Sequence, residues 1–248
     1  MSSTTEPTRA DVCAVACADL FAGAGEILAS PMGTMPAIGA RLARLTFAPD
    51  LLLSDGEAYL LADVAPLGAA SPVEGWLPYR RVFDVVAWGR RHVVMGANQI
   101  DRFGNQNISC IGDHTIPSRQ MFGSRGAPGN TVNHRTSYWV PRHSPRVFVE
   151  RVDVVSGVGY DHATGSAGRF HDVHRVVTNL AVLDFATADR SMRLVSVHPG
   201  VGVDDVQQAT SFPLAVDGVT VTRTPTGDEL RLLNVLDPKG LRNKEVTR

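Results

Sequence analysis

The stretch Val93-Val94-Met95-Gly96-Ala97-Asn98-Gln99-Ile100-Asp101-Arg102-Phe103-Gly104-Asn105-Gln106-Asn107 decides how this chain is read. Its first three residues are an apolar strand, after which Gly96, Asn98, Gln99, Asp101, Asn105 and Asn107 crowd polar groups against the strand's end. Polar groups beside a core strand need partners. Gly104 and Asn105 tolerate positive φ, so Arg102-Phe103-Gly104-Asn105 is read as a tight turn whose flanks pair as a β-hairpin. The amides then either satisfy one another or line a ligand site, with Gln99 and Asn105 as the candidate lining residues.

A second loop follows, RQMFGSRGAPGNTVNH, in which Gly123, Gly126 and Gly129 surround Ser124, Arg125 and Asn130. Glycines let backbone N–H groups approach a ligand closely, as in an oxyanion hole or a phosphate cradle. Arg125 is suited to a carboxylate or pyrophosphate. An irregular glycine loop with a solvated arginine accounts for the same residues. The loop lacks lysine, so it is not a Walker P-loop.

Upstream, Thr8 with Asp11 reads as a capping-box variant opening a helix whose stripe is Val12, Cys13, Ala16, Cys17, Leu20 and Phe21, ended by Gly23 or Gly25. Ile27 and Leu28 begin a short strand, and Ser30-Pro31-Met32-Gly33-Thr34 turns into a helix over 37–45. Such a turn is a common anion or thioester pocket, and helix capping explains it equally well. Leu51-Leu52-Leu53 is the next strand, ending in Ser54-Asp55-Gly56-Glu57. Ligands of open α/β sheets bind beyond the carboxyl ends of strands, so Asp55 and Glu57 are candidate acids, bases or nucleophiles and Ser54 a candidate pocket residue. An acidic turn is also an ordinary solvated cap. Residues 65–78 read as a surface loop anchored by Trp76, followed by a helix over 80–88.

Downstream, RVFVERVDVV (146–155), RVVTNLAVLD (175–184) and 192–197 read as strands without intervening helices, so this half of the sheet is expected to be mixed or antiparallel. A short helix at 204–209 and a final one, ELRLLNVL, close the pattern. His198, before Pro199-Gly200, is either catalytic or a strand-end histidine bonded to backbone. The remaining histidines have no metal-ligand spacing, and no G-x-S-x-G elbow is present.

The 248 residues, with 44% hydrophobic and 20% charged content, fit one α/β domain over 8–248 behind a flexible 1–7. A net charge of −1 argues against nucleic acid or an anionic membrane as partner. The first ten residues lack the features of a secretory signal and no apolar run reaches membrane-span length, so a cytoplasmic protein is expected. Cys13, Cys17 and Cys110 read as small core residues in a reducing compartment.

Taken together, GANQIDRFGNQN, MFGSRGAPGN, RVFVERVDVVSGVGYD, VVTNLAVLDF, SVHPGVGVDDVQQATSF and PTGDELRLLNVLDPKGLR resemble, in order and over nearly the whole chain, the β subunits of class I coenzyme A transferases of the glutaconate type. Within that superfamily SPMGTM, LLLSDGEA and MGANQIDRFGNQNIS look most similar to the IpdB-type branch, the small subunits of cholesterol ring-degrading hydrolases. The resemblance implies an open mixed β-sheet with helices on both faces. It also implies a partner α subunit of the same superfamily in an α2β2 heterotetramer, and an acyl-coenzyme A substrate at the subunit interface, with no permanently bound cofactor.

In transferases of this class a glutamate in a Ser-Glu-Asn-Gly strand end attacks the thioester. Here that segment is Ser54-Asp55-Gly56-Glu57, which puts Asp55 at the nucleophile's place, one methylene shorter, and Glu57 two residues beyond it. The resemblance therefore implies the hydrolase branch, in which a base, expected to be a glutamate of the partner, activates water to open a steroid ring. This chain would then shape the pocket through Asp55, Glu57, Gln99, Asn105 and the loop 123–130. The competing readings are a coenzyme A transferase subunit for a small dicarboxylic or 3-oxo acid, and a purely structural partner.

Overall fold

A computed structural model describes residues 6–55 and 58–246. In chain order the elements are α1 (Arg9–Asp19), β1 (Leu28–Pro31), α2 (Thr34–Leu45), β2 (Leu52–Ser54), β3 (Tyr59–Leu61), β4 (Val73–Trp76), α3 (Tyr79–Trp88) and β5 (Arg91–Gly96). Then come β6 (Gln99–Ile100), β7 (Gln106–Asn107), β8 (Cys110–Ile111), β9 (Arg119–Gln120), α4 (Ala127–Asn133) and β10 (Arg135–Val140). After a 3-10 turn at Gly165–Phe170 follow β11 (Asp172–Thr178), β12 (Ala181–Asp184), β13 (Arg193–Val197), α5 (Val203–Gln208), β14 (Thr220–Val221), α6 (Gly227–Leu236) and α7 (Leu241–Glu245).

One ten-stranded mixed sheet, ordered β14-β13-β12-β11-β10-β5-β1-β2-β3-β4, carries the molecule. Its centre, β2-β1-β5-β10-β11, is parallel, and antiparallel pairs flank it on both sides. Strand β5 is apolar throughout its middle because both of its faces are covered. Val94 packs into one core with Ala29, Leu53, Trp139 and the helices α1 and α2, while Val93 and Met95 pack into another with Tyr138, Phe148 and Phe185. The first layer, with α1, α2, α6 and α7, is called the helical face below. The second, with α3, α4 and the hairpin, is the loop face.

Local chemistry sets the helix starts. Thr8 caps α1, its hydroxyl accepting the Asp11 N–H at 3.2 Å, while Asp11 Oδ2 accepts the Thr8 N–H at 2.8 Å. Thr226 and Glu229 repeat the device at α6. Asp11 is also tied to the chain's far end, since its Oδ1 accepts Arg242 Nε–H at 2.7 Å in a buried ion pair.

The helix over 80–88, the strand near 192–197 and a mixed later half are present, three expected features differ, and one helix was not expected. Residues 146–155 form no strand, because only Phe148 bridges to Ile100 while Val147 and Phe148 fold back onto Ser144. The segment 175–184 is two strands, bent at Asn179-Leu180, where Thr178 Oγ1 accepts the N–H groups of Leu180 and Ala181 at 3.0 Å each. Trp76 anchors no loop; it ends edge strand β4 and is 63% exposed. Helix α7, closing the chain against α1 and α2, has too short an apolar pattern to be legible.

His198 is fully buried, bonded to Thr178 O at 2.9 Å and Thr222 Oγ1 at 3.0 Å, the backbone-linked strand-end histidine of the two readings. Burial pushes it down to about 4, and likewise pushes His143, stacked on Phe148, down to about 3. Both are neutral in the folded chain at neutral pH and take up a proton on unfolding. Their contribution is therefore present above the unfolded value of about 6.5 and is lost as pH falls through the folded values. Each is expected to cost up to about 1.4 kcal/mol per pH unit between pH 6.5 and 4, read from denaturant melts across that range. His143→Gln should flatten the slope by one proton.

Candidate active site

Strand order reverses around β1, with β2 on one side and β5 on the other, so the carboxyl ends of these strands frame the usual ligand crevice of an open α/β sheet. Register pairs Ala29 with Leu53 and Pro31 with Val94, which sets Asp55, two residues past Leu53, level with Pro31 and Val94. Gly96 and the hairpin begin just beyond.

On the helical face the crevice is closed by the chain itself. Helix α2 starts behind Gly33 (φ 105°) without a side-chain cap. Its Met35 N–H donates to Glu245 Oε2 at 3.0 Å, and Trp139 Nε1–H donates to Glu245 Oε1 at 3.0 Å. A carboxylate does sit at this helix start, as the turn's chemistry predicts, but it is the protein's own and fills the expected anion pocket.

At the acidic corner Ser54 is buried and its hydroxyl donates to Ala29 O at 3.0 Å. Asp55 is clasped across the β2–β3 turn: its N–H donates to Tyr59 O, and its Oδ1 accepts Tyr59 N–H, both at 3.1 Å. Burial pushes Arg41 below its ordinary value and the Asp55 charge opposes that, so the two lie within each other's field. Glu57 lies outside the described residues.

The hairpin forms as expected, β6 pairing with β7, with Gly104 at φ 84° in the turn. A Cβ on Gly104 would lie 2.9 Å from Phe185 Cζ, so glycine is required twice over. Asp101 accepts Phe103 N–H and Asn105 N–H at 3.0 Å, and burial holds its pKa above the ordinary value against those bonds. Asn105 Nδ2 donates to Asp101 Oδ2 at 2.9 Å and Asp161 Oδ1 at 2.8 Å, and its Oδ1 accepts Gly159 N–H at 2.7 Å. Gln99 Oε1 accepts from Asn107 Nδ2 at 2.7 Å and Asp153 N–H at 3.0 Å, and its Nε2 donates to Asp153 Oδ2 at 3.1 Å. Gln99 and Asn105 thus build the wall. Gln106, whose Nε2 donates to Gly96 O, keeps a buried Oε1 with no partner.

The glycine loop joins this wall. Ser109 Oγ lies 3.2 Å from Ser124 Oγ and 2.7 Å from Ser156 Oγ, linking the hairpin's exit to the loop. Gly123 (φ 78°) and Arg125 (φ 47°) are left-handed, and the exposed Arg125 guanidinium lies 5.1 Å from the Phe122 ring. The loop ends sooner than the glycine spacing implies, because α4 begins at Ala127. Gly126 caps it, Gly129 lies against Val86 of α3, and Asn130 points into the core. The Ser109–Ser124 contact joins the hairpin to the glycine loop, and the register sets the acidic corner two strands away from β5. The better-formed clefts lie elsewhere, one between α1 and the β12–β14 edge, the other beside Glu6 to Ala10.

Two further polar residues, Arg91 at the start of β5 and His134 just before β10, are buried beside α4 without having stood out in the sequence. Arg91 is 6% exposed, its Nη2 donates to Asn130 Oδ1, and its Nη1 lies 3.5 Å from Ser30 Oγ. Burial lowers it to about 10. The only signal was a charge opening an otherwise apolar strand, which a solvated strand end also shows. Among the described residues no group of three or more His, Cys, Asp or Glu is placed to hold a metal, and no helix is long and apolar enough to cross a membrane.

Similarity to known proteins agrees with this frame. The chain is 62% identical over 252 aligned positions, covering all of both proteins, to the cholesterol ring-cleaving hydrolase IpdB subunit of Rhodococcus jostii (strain RHA1). It belongs to the IpdB subunit family. No family model matches it. The crystal structure of Rhodococcus jostii RHA1 IpdAB superposes with a TM-score of 0.95 at 61% identity, over 98% of this chain and 100% of the other. A glutaconate CoA-transferase subunit of Acidaminococcus fermentans is 28% identical over 227 residues, 82% of this chain and 84% of its own. The crystal structure of glutaconate coenzyme A-transferase from that organism gives a TM-score of 0.81 at 25% identity, over 94% of this chain and 96% of the matched one. An IpdB-type subunit is thus a class I coenzyme A transferase-like α/β chain, and its open mixed sheet with helices on both faces is that of the superfamily.

Because Asn105 holds both carboxylates and a buried N–H, Asn105→Leu is expected to cost about 2–4 kcal/mol in chemical denaturation. Ser124→Ala, at an exposed position, should stay within about 0.5 kcal/mol.

Proposed function

We propose that this chain is the β subunit of a two-subunit hydrolase that opens a ring of a steroid-derived acyl-coenzyme A. The observation that carries the reading is the full-length 62% identity to a cholesterol ring-cleaving hydrolase subunit. The strand end Ser54-Asp55, where transferases of the superfamily present a glutamate, points the same way. In the reaction a base takes a proton from water and the hydroxyl bonds to a ring carbonyl carbon. The adjacent carbon–carbon bond then breaks, its electron pair held as an enolate, and protonation of that carbon leaves a ketone and a carboxylate.

The principal base is a glutamate of the partner α subunit. Asp55, with Glu57 beside it, orients water or the leaving enolate, and the loop Gly123, Ser124, Arg125 and Gly126 receives the coenzyme A portion. Gly129 and Asn130 set the loop's landing on the core, and Gln99 and Asn105 hold the wall. Coenzyme A arrives as part of the substrate. The assembly is α2β2 and cytoplasmic.

The reading seats the partner against α3, an amphipathic helix with no buried residue. Trp76 (63% exposed), Tyr79 (79%), Phe83 (52%) and Trp88 (88%) leave four large apolar side chains exposed along β4 and α3. A same-superfamily α subunit seated there would turn the open corners into a cleft, and obligate interfaces have this apolar character.

In the co-purified complex, Asp55→Asn should lower kcat about 10²-fold while the subunits stay together. Unchanged turnover would reduce this chain to a scaffold. Hydroxylamine trapping with acyl-coenzyme A should label no carboxylate of this chain; a labelled Asp55 or Glu57 would establish the transferase instead. Trp88→Asp should weaken co-purification at least tenfold, read by size-exclusion chromatography.

A further inference from the structure

Arg91 is buried without a counter-ion. Its side chain lies on the loop face of β5, against α4 and the neighbouring strand β1, and it is 6% exposed. Among the described residues no carboxylate forms an ion pair with it, and its acceptors are the Asn130 amide oxygen and, at 3.5 Å, the Ser30 hydroxyl. Its Nε has no partner at all. A guanidinium presents N–H donors in a fixed fork shaped for a carboxylate. Buried arginines are ordinarily paired. Arg242, buried to the same degree, shows the ordinary case, with Asp11 at 2.7 Å and Asp237 at 3.1 Å.

Its side chain reaches forward along the sheet: Arg91 pairs in register with Leu28, while its Nη1 lies by the hydroxyl of Ser30, two residues nearer the carboxyl end of β1. The neighbouring His134, 2% exposed with Nδ1 unpartnered, is pushed down to about 4 by burial and by the Arg91 charge. It is neutral, so among the described residues Arg91 is the lone charge of this cluster.

We infer that Arg91 is the receptor for a carboxylate that enters when the site is completed, displacing the long Ser30 contact and pairing with the guanidinium between β1 and α4. This deepens the proposed function and rests on it. Two sources carry that chemistry: an acidic side chain of the partner subunit, or the carboxylate that ring opening places on the product. As a positioning residue for either, Arg91 fixes where the acid sits relative to Asp55.

The test uses the two-subunit complex and two variants, Arg91→Met and Asn130→Asp, the second supplying a counter-ion from within the chain. Subunit affinity is measured without ligand. Binding of adipoyl-coenzyme A is compared with hexanoyl-coenzyme A by calorimetry, a readout that needs no turnover. If the partner supplies the acid, both variants weaken assembly at least tenfold. If the ligand supplies it, assembly is unchanged and the wild-type preference for the adipoyl probe, at least tenfold, collapses in both.

Asn130→Asp decides the matter alone if Arg91→Met does not fold. Assembly and probe preference both within twofold of wild type in Asn130→Asp would overturn the inference. A wild-type complex that forms but cleaves no steroid thioester would sink the hydrolase reading while leaving these comparisons intact.

Discussion

Asn105 is the tie on which the loop face depends. One amide donates to two carboxylates, Asp101 and Asp161, and accepts the Gly159 N–H, so the hairpin turn and the segment near residue 159 are held as one body. The backbones come so close that a Cβ at Gly159 would lie 2.5 Å from Asn105 N. Inside a protein such a network is strong when every member is satisfied and costly when one is lost. It lets a polar hairpin sit at the end of a strand buried on both faces, and from there the Ser109, Ser124 and Ser156 hydroxyls carry the constraint into the glycine loop.

The two faces of the sheet are finished to different degrees. On the helical face α1, α2, α6 and α7 cover the centre, with the buried Asp11–Arg242–Asp237 ions fully paired. On the loop face α3 buries nothing, and Leu52, level with the centre of the sheet, is 40% exposed. The glycine loop lies on that unfinished side, whereas Asp55, two residues past Leu53, lies in the field of Arg41 of α2. Such asymmetry suits a chain that works with a partner subunit, because a surface covered by another protein cannot also be covered by its own helices.

Much of this was legible in the residues. The apolar-then-amide pattern around Met95 gave the hairpin its true boundaries within a residue or two, and Thr8 with Asp11 gave α1 its start. Those signals are local. What stayed hidden depends on distant partners: the bend at Asn179-Leu180 is set by Thr178 and His143, and the alternating 146–155 segment finds only a single bridge, Phe148 to Ile100 of the two-residue β6. Asn130 read as a loop residue because glycines surround it, whereas Pro128 in the first turn and the contact with α3 make it helical. Arg91 could not be told from a solvated strand end, since a sequence does not show where a counter-ion is missing.

Glu245 carries a consequence for how the chain is made. Its carboxylate accepts from the start of a helix 210 residues upstream and from the indole of Trp139, so neither donor gains this partner until residue 245 has been made. Contacts of such separation form late. A nascent chain that has not yet made α7 would therefore leave the electropositive start of α2 without its carboxylate.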